Sequence, residues 1–133
     1  MYSHVTLGTA NIPRAALFYD EVLKPLGLTR RKTLKIAVCY APDGFAGVNE
    51  PFWLLRPIDK NAPSPGNGVT VAFDAPSRAA VDAFYAAALA AGGSDEGAPG
   101  LRLHYHPDYY GAYVRDLDGN KICAVCHRPP EAA

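Results

Sequence analysis

Residues 4–27, HVTLGTANIPRAALFYDEVLKPLG, and residues 70–93, TVAFDAPSRAAVDAFYAAALAAGG, are two versions of one pattern displaced by 66 positions. Val5 falls on Val71, Leu7 on Phe73, Phe18-Tyr19 on Phe84-Tyr85, Leu23 on Leu89 and Gly27 on Gly93, with no gap. Recurrence at a fixed spacing marks a duplicated supersecondary unit. In the first copy, residues 3–8 set Val5 and Leu7 on one side and His4 and Thr6 on the other, the period of a half-buried strand. Asn11 is placed to cap a helix, and Pro13 falls in its first turn, where a missing N–H costs nothing. Ala15, Phe18, Tyr19, Val22, Leu23 and Leu26 form one apolar stripe at helical spacing, which Gly27 ends. In the second copy Val69 to Phe73 is the strand and Ser77 the cap. Val81, Phe84, Tyr85, Ala88 and Leu89 are the stripe, and Gly92-Gly93 is the stop.

Strand-like segments follow each helix. In the first half they are Leu28 to Lys35, Ile36 to Tyr40 and Phe52 to Arg56. In the second half they lie near Leu101 to Tyr105, then at Tyr109 to Arg115 and Lys121 to His127. Asp116-Leu117-Asp118-Gly119-Asn120 makes a tight hairpin turn between the last two, with glycine supplying a positive φ. The stretch PIDKNAPSPGNG at residues 57–68 reads as an exposed linker. Residues 1–133 are therefore expected to form a single α+β domain with a βαβββ module over residues 1–56, a linker over 57–68 and a second βαβββ module over 69–128.

Composition narrows the function classes. The 133 residues are 49% hydrophobic and 20% charged, an ordinary globular balance able to bury one core. Thirteen Lys and Arg against 13 Asp and Glu leave no net charge, so the basic excess that drives nucleic-acid binding is lacking and no nucleic-acid partner is expected. No apolar run approaches the roughly 20 residues of a membrane span. The opening MYSHVTLGTANIPRA does not read as a secretory signal, and three cysteines are too few for a disulfide scaffold. The expectation is a cytoplasmic protein with no membrane partner.

Two βαβββ units in about 130 residues resemble the vicinal oxygen chelate superfamily of glyoxalases, bleomycin-resistance proteins and ring-cleaving dioxygenases. The opening His-Val-Thr-Leu-Gly, the Ile-Pro-Arg-Ala-Ala-Leu-Phe-Tyr helix and the Asp116–Asn120 turn carry the resemblance, which covers nearly the whole chain. It implies a cup-shaped eight-stranded mixed sheet with helices on its outer face, holding a small-molecule ligand. It also implies four inward-facing metal-ligand positions, on the first and last strands of each module. Here these are His4, Trp53, Thr70 and Cys123, the cysteine standing where the family's Asp-Gly-Asn-x-x-Glu places a glutamate. Tryptophan does not ligate and a threonine hydroxyl ligates poorly, whereas a divalent metal needs three or more good donors. The metal site is read as degenerate at His4, Thr70 and Cys123, with no cofactor expected. His4 is expected to line the cup, hydrogen-bonded to Thr70 or water, and Cys123 to point into the open cavity.

Other candidates lie outside those positions. Cys123-Ala-Val-Cys126-His127 matches a haem-attachment pattern, but on a strand Cys123 and Cys126 point to opposite faces and cannot reach one haem edge. Cys126 is expected under a helix with Ile122 and Ala124, and Cys123 with Val125 and His127 on the other face. Leu103 to Tyr110, LHYHPDYY, is the densest polar-aromatic cluster. His104 and His106 would share a face if the segment is extended, either as a metal pair or, with Tyr110, as a ligand-binding rim. Trp53 offers an aromatic wall and Arg56 an anion anchor.

Two functions follow. The first is a metal-independent small-molecule binding protein using His4, Trp53, Thr70, His104, His106, Tyr110 and Cys123. The second is a glyoxalase-like lyase, isomerase or dioxygenase that recruits a divalent metal through His4 with His104 or His106. Open sheet edges, and the pairing of subunits common in the family, lead us to expect a homodimer.

Overall fold

The computed structural model of the chain describes residues 1–130. The first module runs β1 (Val5–Gly8), α1 (Ile12–Leu23), β2 (Leu28–Thr33), β3 (Ala37–Pro42) and β4 (Phe52–Leu55). The second runs β5 (Val71–Asp74), α2 (Arg78–Ala90), β6 (Ser94–Leu101), β7 (Tyr110–Arg115) and β8 (Lys121–Cys126). The duplication is exact in topology. One sheet has the order β1-β4-β3-β2 and the other β5-β8-β7-β6, with the first pair parallel and the rest antiparallel in each. The eight strands thus form two sheets of four, each with a helix, and no strand of one sheet pairs with a strand of the other.

The helix signals act as read. Asn11 accepts from the Arg14 amide at 3.0 Å, and Ser77 accepts from the Ala80 amide at 3.0 Å. Ala15, Phe18, Tyr19, Val22, Leu23 and Leu26 are all buried. A single 3-10 turn, Lys24–Leu26, separates α1 from Gly27, whose φ of 80° is left-handed. In α2 the buried set is Ala80, Val81, Phe84 and Ala88; Tyr85 is half-buried and Leu89, expected in the stripe, is exposed. Only one edge of that helix meets the sheet, so the apolar arc is narrower than its alanine-rich sequence implies.

Several strand bounds differ from expectation: β3 runs on from Tyr40 to Pro42, and β4, β7 and β8 are each one residue shorter. β2 stops at Thr33, short of Lys35, and β5 starts at Val71, which leaves Val69 and Thr70 before the strand. The strand expected near Leu101 to Tyr105 is instead Ser94–Leu101, and residues 102–109 form turns. SDEGAPGL has two glycines, a proline and two acids, the residues that strands avoid. It is an edge strand held by β7, with register shifts on both sides of Gly97.

The helix-facing sides of both sheets feed one core. Val38 and Tyr40 of β3, Phe52 and Leu54 of β4, and Ile122, Ala124 and Cys126 of β8 belong to it together with both helices. The Phe52 and Phe73 rings meet edge-to-face across the module boundary with centroids 5.1 Å apart. Polar groups tie the modules where the core ends. The Asp116 carboxylate accepts from the Tyr19 hydroxyl at 2.6 Å, and the Asn120 side-chain amide donates to the Gly8 carbonyl at 2.9 Å. No helix of the described residues is long and apolar enough to cross a membrane.

Candidate functional site

Side chains alternate along a strand, so the residues between the core positions point to the face without a helix. The register assigns them. In the first sheet Trp53 lies between Thr6 and Cys39. In the second, Cys123 lies between Ala72 and Tyr113. Trp53 follows Phe52, the partner of Val5, and Cys123 follows Ile122, the partner of Val71, so the two occupy equivalent places in their modules. Ile122, Ala124 and Cys126 lie in the core as expected, and Cys123 and Val125 alternate with them.

The surroundings of these positions are less uniform than the repeat. His4 is exposed just before β1, and its Nδ1 lies 3.0 Å from both Ser3 Oγ and Asn49 Nδ2, not beside Thr70. Thr70 is exposed just before β5. Trp53 is half-buried and donates its indole N–H to the Glu50 carbonyl at 2.8 Å. Arg56 lies beyond β4 and is exposed. Cys123 does not open to the cavity; it is fully buried, and burial is the main cause that pushes its thiol pKa up. The neighbouring Tyr113 and Tyr109 hydroxyls and the Arg102 charge oppose that push without overcoming it. The charge that acts on Cys123 comes from Arg102, in the loop after β6.

The loop residues separate. The turns at 102–109 keep His104 and His106 from sharing an extended face. His104 packs on Tyr105 with ring centroids 4.2 Å apart. His106 instead meets His127, Nε2 to Nδ1 at 2.8 Å, with the rings stacked. The Asp108 amide donates to His106 Nδ1 at 3.1 Å, so the proton of a neutral His106 sits on Nε2 and is donated to His127. Tyr110 goes to the opposite side of its sheet. It neighbours Cys126 in register, donates to Asp82 of α2 at 2.6 Å and lies under the Arg78 guanidinium. The residue that joins the helix-free face is Tyr109, whose hydroxyl is 2.6 Å from that of Tyr113.

Four groups were not among the candidate site residues, although the sequence put His127 on the face of Cys123 and Tyr109 in the polar-aromatic cluster: His127, Tyr109, Tyr113 and Glu50. Strand parity from Cys123 could have found Tyr113 once the hairpin register was known. Glu50 lay in an unassigned loop. It is 7% exposed, with one oxygen 3.4 Å from Lys32 Nζ and the other without a partner. The amide of its own residue, with Lys32 adding to it, holds that carboxylate below its ordinary range against an opposing push from burial.

The donor set at the four family positions does not suit a divalent metal. It offers one imidazole, one hydroxyl and one covered thiol, with an indole at the fourth place. Among the described residues no three His, Cys, Asp or Glu side chains converge on a common point. His4 and His106 spend their ring nitrogens on different neighbours, so nothing brings them together.

A duplicated βαβββ unit with one helix per four-stranded sheet defines the class of fold. The chain belongs to the Glyoxalase/Bleomycin resistance protein/Dioxygenase superfamily, whose family model matches residues 2–124. It is 38% identical to a glyoxalase/bleomycin resistance protein from Albidiferax ferrireducens T118, over 97% of this chain and 99% of that one, with a TM-score of 0.83. A glyoxalase/bleomycin resistance protein/dioxygenase family enzyme from Burkholderia phytofirmans PsJN shares the fold at 20% identity, 95% and 98% coverage and a TM-score of 0.70. So does a lactoylglutathione lyase from Agrobacterium tumefaciens, at 19% identity, 95% and 92% coverage and a TM-score of 0.63. No curated protein matches the chain significantly.

Proposed function

We propose that the protein binds a small molecule against the helix-free faces of its modules and does so without the family's metal. The observation that carries this reading is the equivalence in register of Trp53 and Cys123, which puts an indole and a covered thiol where carboxylate ligands are needed. What remains there suits contact rather than coordination: Trp53, Tyr113, Tyr109 and the paired imidazoles of His106 and His127. The test is elemental analysis of protein expressed in Zn, Mn, Ni and Fe media. The expected content is far below one metal per chain in every medium. One metal per chain, lost in His4→Ala, overturns the reading in favour of a metal-dependent lyase, isomerase or dioxygenase.

The working unit in this proposal is a cytoplasmic homodimer. Each sheet has two edge strands with no strand partner on their outer side. β2 and β6 are blunted by charges, by proline and by register shifts, whereas β1 (VTLG) and β5 (VAFD) are regular and have one charge between them. Met1 and Tyr2 before β1 and Val69 before β5 are exposed apolar side chains flanking those edges. Pairing a β1 edge with a partner's β5 edge covers both and sets the helix-free faces of two modules side by side. Light scattering at micromolar concentration is expected to give twice the 14.2 kDa chain mass; a monomer at high micromolar concentration overturns it.

A further inference from the structure

We infer that the second module holds an anion subsite, built by Arg102 and Lys121 over the Tyr113 ring, which takes the carboxylate or phosphate of an aromatic ligand. This rests on the proposed binding role of the helix-free face and gives it a ligand class. The hollow at this place has a volume of about 340 Å³ and is lined by Arg102, His104, Tyr105, Tyr113, Lys121 and Glu96 among others. Arg102 Cζ lies 5.6 Å and Lys121 Nζ 5.4 Å from the Tyr113 ring centroid. Neither cation has a carboxylate partner among the described residues, unlike Arg14, Arg30, Lys32, Arg78 and Arg115. Glu96 lines the hollow as well, but its Oε1 is taken by Arg115 Nε at 2.8 Å, so Arg102 and Lys121 are left in excess.

The guanidinium is held in place rather than free. Its Nη1 donates to the Gly100 carbonyl at 2.9 Å and its Nη2 to the Ala98 carbonyl at 3.0 Å. That uses two of five N–H donors and leaves three for a ligand. The β6 backbone is shaped around it. Gly97 has a φ of 153°, and a Cβ there would stand 3.0 Å from Arg102 Nη2. A half-buried, prepositioned fork beside an ammonium is suited to a planar carboxylate or a phosphate. The ring pair His104 and Tyr105, with Tyr113, supplies flat apolar surface for the body of the ligand. Tyr113 is itself fixed through its hydroxyl contact to Tyr109, so the aromatic floor under the two cations does not need to be ordered on binding.

The test is an amide-resolved NMR titration of the intact protein with sodium benzoate, phenyl phosphate and, as the neutral isostere, benzamide. The expected result is that the anions shift resonances of Arg102, Tyr113 and Lys121 and bind at least tenfold tighter than benzamide. The ratio of benzoate to phenyl phosphate affinity identifies which anion is preferred. Lys121→Gln should weaken both anions about fivefold and leave benzamide unchanged, while Lys121→Arg keeps the tight binding. Arg102→Gln should do the same, and because it gives up two loop hydrogen bonds, Lys121→Gln is the deciding variant. Anions and benzamide binding equally to these residues, or anion affinity untouched in Lys121→Gln, overturns the subsite and leaves the binding face standing. No shift at any helix-free-face residue with any of the three overturns both.

Discussion

Asp116→Ala is expected to remove about 3–4 kcal/mol from the unfolding free energy, close to the largest loss a single polar change produces. The carboxylate is 6% exposed and accepts four hydrogen bonds. Oδ1 takes the amides of Asp118 and Asn120, both at 2.9 Å, and Oδ2 takes the Tyr19 hydroxyl at 2.6 Å and the Asn120 side chain at 2.9 Å. Alanine frees all four donors at once, and the Tyr19 hydroxyl, fully enclosed, has no water to turn to. Urea unfolding followed by far-UV circular dichroism measures the loss. A change below about 1 kcal/mol would show that the turn is held by other means. The same contact has a pH signature. Burial first, and then the Asp116 charge, pushes the Tyr19 pKa well above its ordinary value. The folded value lies above the unfolded one, so this stability is intact below about pH 10 and is lost as pH rises beyond it. Tyr19→Phe, measured the same way, should lessen the alkaline fall.

Gly93→Ala is the second large effect, at about 3 kcal/mol and a fall in melting temperature on the order of 10 °C. The added methyl would stand 2.7 Å from the Arg115 carbonyl, 2.9 Å from the Ala88 carbonyl and 3.1 Å from Phe18. Two of these are backbone atoms that cannot yield, and the third belongs to the helix of the other module. The repeat aligns Gly93 with Gly27, yet the two glycines serve different needs. Gly27 has a φ of 80° with open space around it, and in the second module that conformational task falls to Gly92, whose φ is 100°. Gly27→Ala should therefore cost only about 1 kcal/mol, as backbone strain. Equal losses for the two substitutions would mean that the Arg115 and Ala88 backbone moves aside for the added methyl.

Legibility from the sequence followed the strength of local chemistry. Both helices were readable because Asn11 and Ser77 cap them and their apolar stripes repeat. β8 was readable because KICAVC follows an Asp-Gly turn. β6 was not, since SDEGAPGL has no strand chemistry and owes its conformation to β7. The family positions at Trp53 and Cys123 could be matched because strand β4 and strand β8 have like patterns. What surrounds them could not. Tyr109 and Tyr110 are adjacent in sequence and only the β7–β8 register decides which of them reaches the open side. His106 meets His127 across 21 residues because a proline-containing turn bends the chain, a contact no local pattern encodes. Arg102 likewise comes over the Tyr113 ring only through the path of the loop.

The hairpin turn at residues 116–120 has a consequence for how the chain is made. Asp118 accepts the Ala10 amide across 108 positions, Asn120 serves the Gly8 carbonyl across 112, and Asp116 serves Tyr19 across 97. A segment at residues 8–19 is thus completed by one made about a hundred residues later. A nascent first module has its strand-to-helix corner unpaired, and half its core uncovered, until residues 116–120 have emerged. Folding is then a single late event with long loops to close, slow by the measure of contact separation, and its waiting intermediate is a sticky half-molecule. A gene cut within residues 57–68 should yield two fragments that are each insoluble alone but rescue one another when co-expressed, the second lending its turn to the first in trans.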